Sequence, residues 1–145
     1  MLRPKRIYLA APYTHESSVV MNQRFEEINK MAAELLTNGF HVFSPISHAH
    51  PINEIAGLGR GFIKWMDYDL SIIALWADEV WVMQMDGWKE SVGVQCEISF
   101  ATKLGMSIIF INENSIKEHY SSIEEKEEPW KEIARYCWDK IAETK

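Results

Sequence analysis

Apolar and polar positions along this chain fall into blocks whose lengths and periods predict its elements. Ile7-Tyr8-Leu9-Ala10-Ala11 is a short apolar run closed by Pro12, which has no N–H for a ladder and biases its neighbour away from helix. The run predicts a buried strand. From Ser17 or Ser18, either able to cap, Phe25, Ile28, Met31, Ala32, Leu35 and Leu36 recur at helical spacing until Asn38-Gly39 stops the pattern. A second apolar strand over 40–43 runs into Ser44-Pro45, and residues 44–61, rich in His, Pro, Asn and Gly, predict a long connection of the kind that carries function. Residues 62–76 predict a helix, 79–83 a third strand, 91–104 a helix stopped by Gly105, and 107–111 a fourth strand. After a polar connection over 113–129, residues 130–142 predict a closing amphipathic helix with Ile133, Ala134, Cys137 and Ile141 on one side.

Strands alternating with helices predict the α/β class. Parallel neighbours need right-handed crossovers, which gives a doubly wound, mainly parallel sheet of four or five strands flanked by helices. A chain of 145 residues, 47% hydrophobic, is the size of one domain, so 1–145 reads as one unit with 113–145 as its polar connection and last helix. Fifteen Lys and Arg against 21 Asp and Glu give a net charge of −6, which excludes a general binder of nucleic-acid polymer. The longest apolar runs, 70–77 and 108–111, fall short of the ~18 residues of a membrane span. The basic segment 1–6 enters a strand without the apolar region of a signal peptide, and Cys96 and Cys137 form no CxxC pair. Both features predict a cytoplasmic protein whose cysteines are free thiols serving as apolar filler.

In open parallel sheets ligands bind beyond the carboxyl ends of the strands, which selects 10–14, 44–50, 83–91 and 111–114. The third is richest in chemistry. Glu97 follows Gly93 by one helical turn and precedes Ala101 by one, so a carboxylate rises beside small residues that leave room for a ligand. Its place near a helix amino terminus predicts that it stays ionised at neutral pH. His48 and His50, two apart in a segment read as extended, fall on one side of it. With no third ligand at a recognisable spacing, no metal or other cofactor is expected, and the pair reads as lining for a base or sugar pocket. Trp88 is the best stacking candidate, Trp76 and Trp81 sit in core-like runs, and Asp78 reads as a turn residue.

The spacing Asp86-Gly87, Gly93, Glu97, Ala101 resembles the DGxxxDxGxxxExxxA pattern of the nucleoside 2-deoxyribosyltransferase-like family. Ser91-Val92-Gly93-Val94-Gln95-Cys96-Glu97 is similar to the S-x-G-x-x-x-E run of its deoxynucleoside 5′-monophosphate N-glycosidase branch, and Gly87-Trp88-Lys89-Glu90-Ser91 to a Trp-rich branch. The resemblance runs from Tyr8 through Asp69 and Ala77-Asp78 to Gly105 and implies a flavodoxin-like sheet. It also implies cleavage or transfer at the N-glycosidic bond of a 2′-deoxynucleoside or its 5′-monophosphate. By it, Glu97 is a nucleophile on C1′, Asp69 (with Asp67 as fallback) holds the sugar or protonates the base, and Tyr13 lies near the sugar, able to hydrogen-bond the nucleophile.

The substrate-binding set is then Ser91, Gly93, Asp86, Gly87, Trp88, His50 and Arg24. A small-molecule nucleoside or nucleotide is the partner, and a homodimer or larger homo-oligomer the assembly. Ser91 stands where the transferase branch has an Asp, removing a charge that would repel a 5′-phosphate, whereas Pro12 and the lack of glycines after the first strand weaken a backbone cradle. The charge weighs more, so the monophosphate is the expected substrate. The alternatives are an enzyme acting on another nucleotide or nucleotide-sugar, and a noncatalytic nucleotide-binding or assembly module.

Overall fold

The structure, a computed structural model, describes residues 2–59, 64–122, 126–127 and 130–144. In chain order the strands are β1 (Leu2–Arg3), β2 (Arg6–Ala10), β3 (His41–Phe43), β4 (Glu79–Met83), β5 (Ser107–Ile111) and β6 (Lys126–Glu127). The helices are α1 (Ser18–Thr37), α2 (Pro45–Ala56), α3 (Lys64–Leu75), α4 (Val92–Lys103) and α5 (Trp130–Glu143), with a 3₁₀ helix over Ile116–Ser122. β3, β2, β4 and β5 form a four-stranded, all-parallel sheet in that order. The first strand of this sheet, β2, lies inside it, with its successor β3 on one side and β4 on the other. Between β2 and β4 the winding reverses, which opens a crevice at their carboxyl ends.

Strand alternation divides β2 between two cores. Ile7 and Leu9 pack with Trp81 against Ile28, Met31 and Leu35 of α1, whereas Tyr8 and Ala10 pack with Val80 and Val82 against Ile73 of α3 and Val94 and Ala101 of α4. The sheet is therefore covered on both faces, as the α/β pattern predicts. Asp78, at the turn into β4, accepts from both terminal nitrogens of Arg3 and from the Arg6 backbone N–H, the latter at 2.8 Å. Burial alone would raise its pKa, but these bonds and the two guanidinium charges hold it at about 2. Its role is structural.

Three expectations need correction. Residues 45–56 of the expected connection are helix: the Ser44 hydroxyl accepts from the Ser47 N–H, Pro45 presets the first helical φ, and Gly57 closes the helix in the left-handed region at φ 64. Of the residues that suggested a loop, Pro45 marks the helix start and Gly57 its end, while Pro51 and Asn53 lie inside it. Second, β1 pairs antiparallel with β6, Leu2 opposite Glu127, and two-residue strands carry no periodic signal. Third, Cys96 and Cys137 are free thiols, as expected, but both are exposed and fill no core. The expected start of α3 at 62 lies outside the described residues. Among the described residues no helix is long and apolar enough to cross a membrane.

Candidate active site

Beyond the carboxyl ends of β2 and β4 lies a cavity of about 450 Å³. Its walls come from the loop after β2 (Ala11, Tyr13, Thr14), from α2 (Ile46, Ala49, Asn53), from α3 (Trp65, Met66, Asp69) and from the start of α4 (Ser91, Gly93, Glu97). Five of the residues singled out in the sequence thus meet here: Tyr13, Asp69, Ser91, Gly93 and Glu97.

Two acids that line the cavity each bury an oxygen with no hydrogen-bond partner among the described residues, Asp69 Oδ1 and Glu97 Oε2, and the buried Tyr8 hydroxyl lies beside Glu97. Buried polar groups are nearly always paired, so two such oxygens on one cavity make it the candidate site. Glu97 is 5% exposed. Burial raises its pKa from 4.5 to about 8; the Tyr8 hydroxyl beside it lowers the value and Asp69 raises it further. Desolvation likewise lifts Asp69 from 3.8 to about 7. The expectation that the helix amino terminus keeps Glu97 ionised is overturned. Glu97 is the sixth residue of α4, beyond the first turn where the dipole acts, and at neutral pH its burial decides.

Tyr8 was missed. Its signal was the period of β2: with Ile7 and Leu9 facing α1, Tyr8 has to face α3 and α4, where a phenol requires a polar partner. Tyr13, expected near the sugar and able to hydrogen-bond the nucleophile, lines the same cavity as Glu97 and hydrogen-bonds Nδ1 of His50, whose ring stacks on Phe25 with centroids 4.2 Å apart. Gly93 leaves the space over the carboxyl: a Cβ there would stand 4.0 Å from Glu97 Oε1 and 3.9 Å from both Met66 Cε and Ser91 Oγ. The Ser91 hydroxyl lines the cavity while capping α4, accepting from the Val94 N–H at 3.3 Å. The first turn of α4 carries no acidic residue.

The other candidates stand outside this cavity. Arg24 donates to the carbonyls of Tyr13, Thr14 and Asp86, tying together the loops after β2 and β4. Gly87 lies beneath it at φ 89, where a Cβ would be 2.7 Å from Arg24 Nη2. These bonds fix the loops, so Arg24 and Asp86 shape the site without lining it. Trp88 packs on Phe110 with centroids 5.5 Å apart, and Trp65 takes the aromatic place in the cavity wall. His48 and His50 do not share a side, because the segment is helical: His48 stacks on Tyr68 and His50 on Phe25. Among the described residues no group of three His, Cys, Asp or Glu side chains could hold a metal ion. A second cavity of about 370 Å³ adjoins the first, sharing Tyr13, Thr14 and Asn53 and adding His50, Asn22 and Glu54.

Among solved structures the fold is similar to the 2-deoxyribosyltransferase of the psychrotolerant bacterium Bacillus psychrosaccharolyticus. Identity is 24%, the TM-score is 0.51, and the match covers 74% of this chain and 72% of that one, a likeness of fold. It agrees with the flavodoxin-like sheet expected from the sequence. No curated protein matches the chain. Residues 5–113, which include every wall of the first cavity, match the model of a domain of unknown function, DUF1937, and the chain belongs to that family.

Proposed function

We propose that this protein cleaves or transfers the N-glycosidic bond of a 2′-deoxynucleoside or its 5′-monophosphate, with Glu97 as nucleophile. The observation that carries the reading is that Asp69 and Glu97, each with a buried oxygen that has no hydrogen-bond partner among the described residues, line one cavity at the sheet's switch point, with the Tyr8 hydroxyl beside Glu97. The 2-deoxyribosyltransferase fold of the structural neighbour supports it.

A Glu97 carboxylate oxygen attacks C1′ as the C1′–N bond breaks and its electron pair leaves with the base. Asp69, protonated, gives that nitrogen its proton. Water, giving a proton back to Asp69, opens the glycosyl ester to free 2-deoxyribose; a second base in its place gives transfer. This chemistry needs one proton on the pair. Burial raises both carboxyls, so the pair retains a proton at neutral pH, and the reacting state is the one in which that proton sits on Asp69. Tyr8, which favours the charged form of Glu97, supports that state.

Base release from a panel of 2′-deoxynucleosides and their monophosphates, compared between wild type and Glu97→Gln, tests the proposal. Loss of release by several orders of magnitude in a folded variant is expected; equal turnover would remove the nucleophile.

A further inference from the structure

The second cavity, behind Tyr13, carries polar groups that the chemistry at Glu97 does not use. His50 is 8% exposed and lines this cavity. Its Nδ1 is hydrogen-bonded to the Tyr13 hydroxyl, and we assign the phenol as the donor of that bond, which puts the ring proton on Nε2. Nε2, a donor in this tautomer, has no hydrogen-bond partner among the described residues. Asn53, three residues on and on the same face of α2, is oriented in the same way. Its Oδ1 accepts from Trp65 Nε1 at 2.9 Å, which leaves the amide N–H₂ for the cavities it lines. The helix thus presents two donors, each fixed by a bond on its other side, with the Glu54 carboxylate next in sequence as an acceptor on the same cavity.

We propose that this face of α2 reads the nucleobase, and that the base is a 6-oxopurine. That edge offers two adjacent acceptors, N7 and O6, to His50 and Asn53, and the neighbouring N1–H to Glu54. A 6-aminopurine turns a donor toward the donors and an acceptor toward the carboxylate. The mismatch leaves a donor of this face without an acceptor and sets an acceptor against the Glu54 carboxylate, which disfavours the 6-amino base. Glu54 also argues against an anion as the occupant. The inference rests on the proposed glycosidic activity and adds the identity of its leaving group.

The test compares deoxyinosine with deoxyadenosine for base release, and hypoxanthine with adenine for binding by calorimetry, on wild type and Asn53→Asp. This variant keeps the acceptor for Trp65 and so the fold, but replaces the amide donor with an acceptor. Wild type should prefer the 6-oxo compound by about tenfold or more in both measurements, and Asn53→Asp should bring the ratio to one or below. A wild-type ratio of one or less, or a ratio unchanged by Asn53→Asp, overturns the assignment. Should no substrate release its base while hypoxanthine still binds more tightly and Asn53→Asp abolishes the difference, the base site stands and the glycosidic reading falls.

Discussion

Replacing Glu97 by glutamine should abolish turnover and yet stabilise the protein, by an amount that grows with pH. Folding buries this carboxyl, raising its pKa from 4.5 to about 8, so the unfolded chain ionises well before the folded one. A raised carboxyl pKa gives stability that is fully present below pH 4.5 and is lost as pH rises through the folded value. The limit of that loss is about 5 kcal/mol, of which about 3 kcal/mol accrues between pH 5 and pH 8. Glutamine has the shape of the protonated acid and no charge to lose. The variant should match wild type within about 1 kcal/mol at pH 5 and exceed it at pH 8 by about 3 kcal/mol, or roughly 10 °C in Tm for a chain of this length. Asp69, also raised but partly exposed, leaves a smaller residual slope in the variant. Calorimetric or dye-monitored melting of both proteins from pH 5 to pH 8 reads the effect. Parallel Tm curves would refute the reasoning, because they would mean that Glu97 titrates alike in both states.

Asp69→Asn should impair turnover by about 10²-fold or more, while Asp67→Asn, on the exposed side of the first turn of α3, should leave it within twofold; the reverse ranking would move the acid to Asp67. Tyr8→Phe should lower kcat about tenfold or more, since the phenol favours the charged form of Glu97; unchanged kcat would deny it that part. Gly93→Ala gains up to about 1 kcal/mol of helix propensity with no contact closer than 3.9 Å, yet its methyl stands over the carboxyl, so a higher Tm with lower kcat/KM is expected and undiminished kcat/KM would place the substrate elsewhere. The 5′-monophosphate should be turned over with a higher kcat/KM than the free nucleoside, and Ser91→Asp, which still caps α4, should erase that preference; a wild type that favours the nucleoside would point to transferase-like substrates.

The order of strands and helices was legible because β2 and β4 are short unbroken apolar runs, buried on both faces of the sheet, while α1 and α4 repeat their apolar residues at a period of nearly four. Glu97 beside Gly93 was legible as well, since both lie on one helix and their separation is one turn. The partners were not. Tyr8, Asp69 and Glu97 come from three elements, and only their packing on one face of the sheet makes them neighbours. The charge state of Glu97 is likewise tertiary. A local reading saw a carboxylate near a helix amino terminus, whereas desolvation depends on the residues of α3 and β2 that cover it. Composition misled at α2, where Pro45, Pro51 and the histidines suggested a loop and the cap at Ser44 with Gly57 made a helix. That helix turns His50 toward Tyr13 and away from His48, because side chains two apart diverge on a helix and align on a strand.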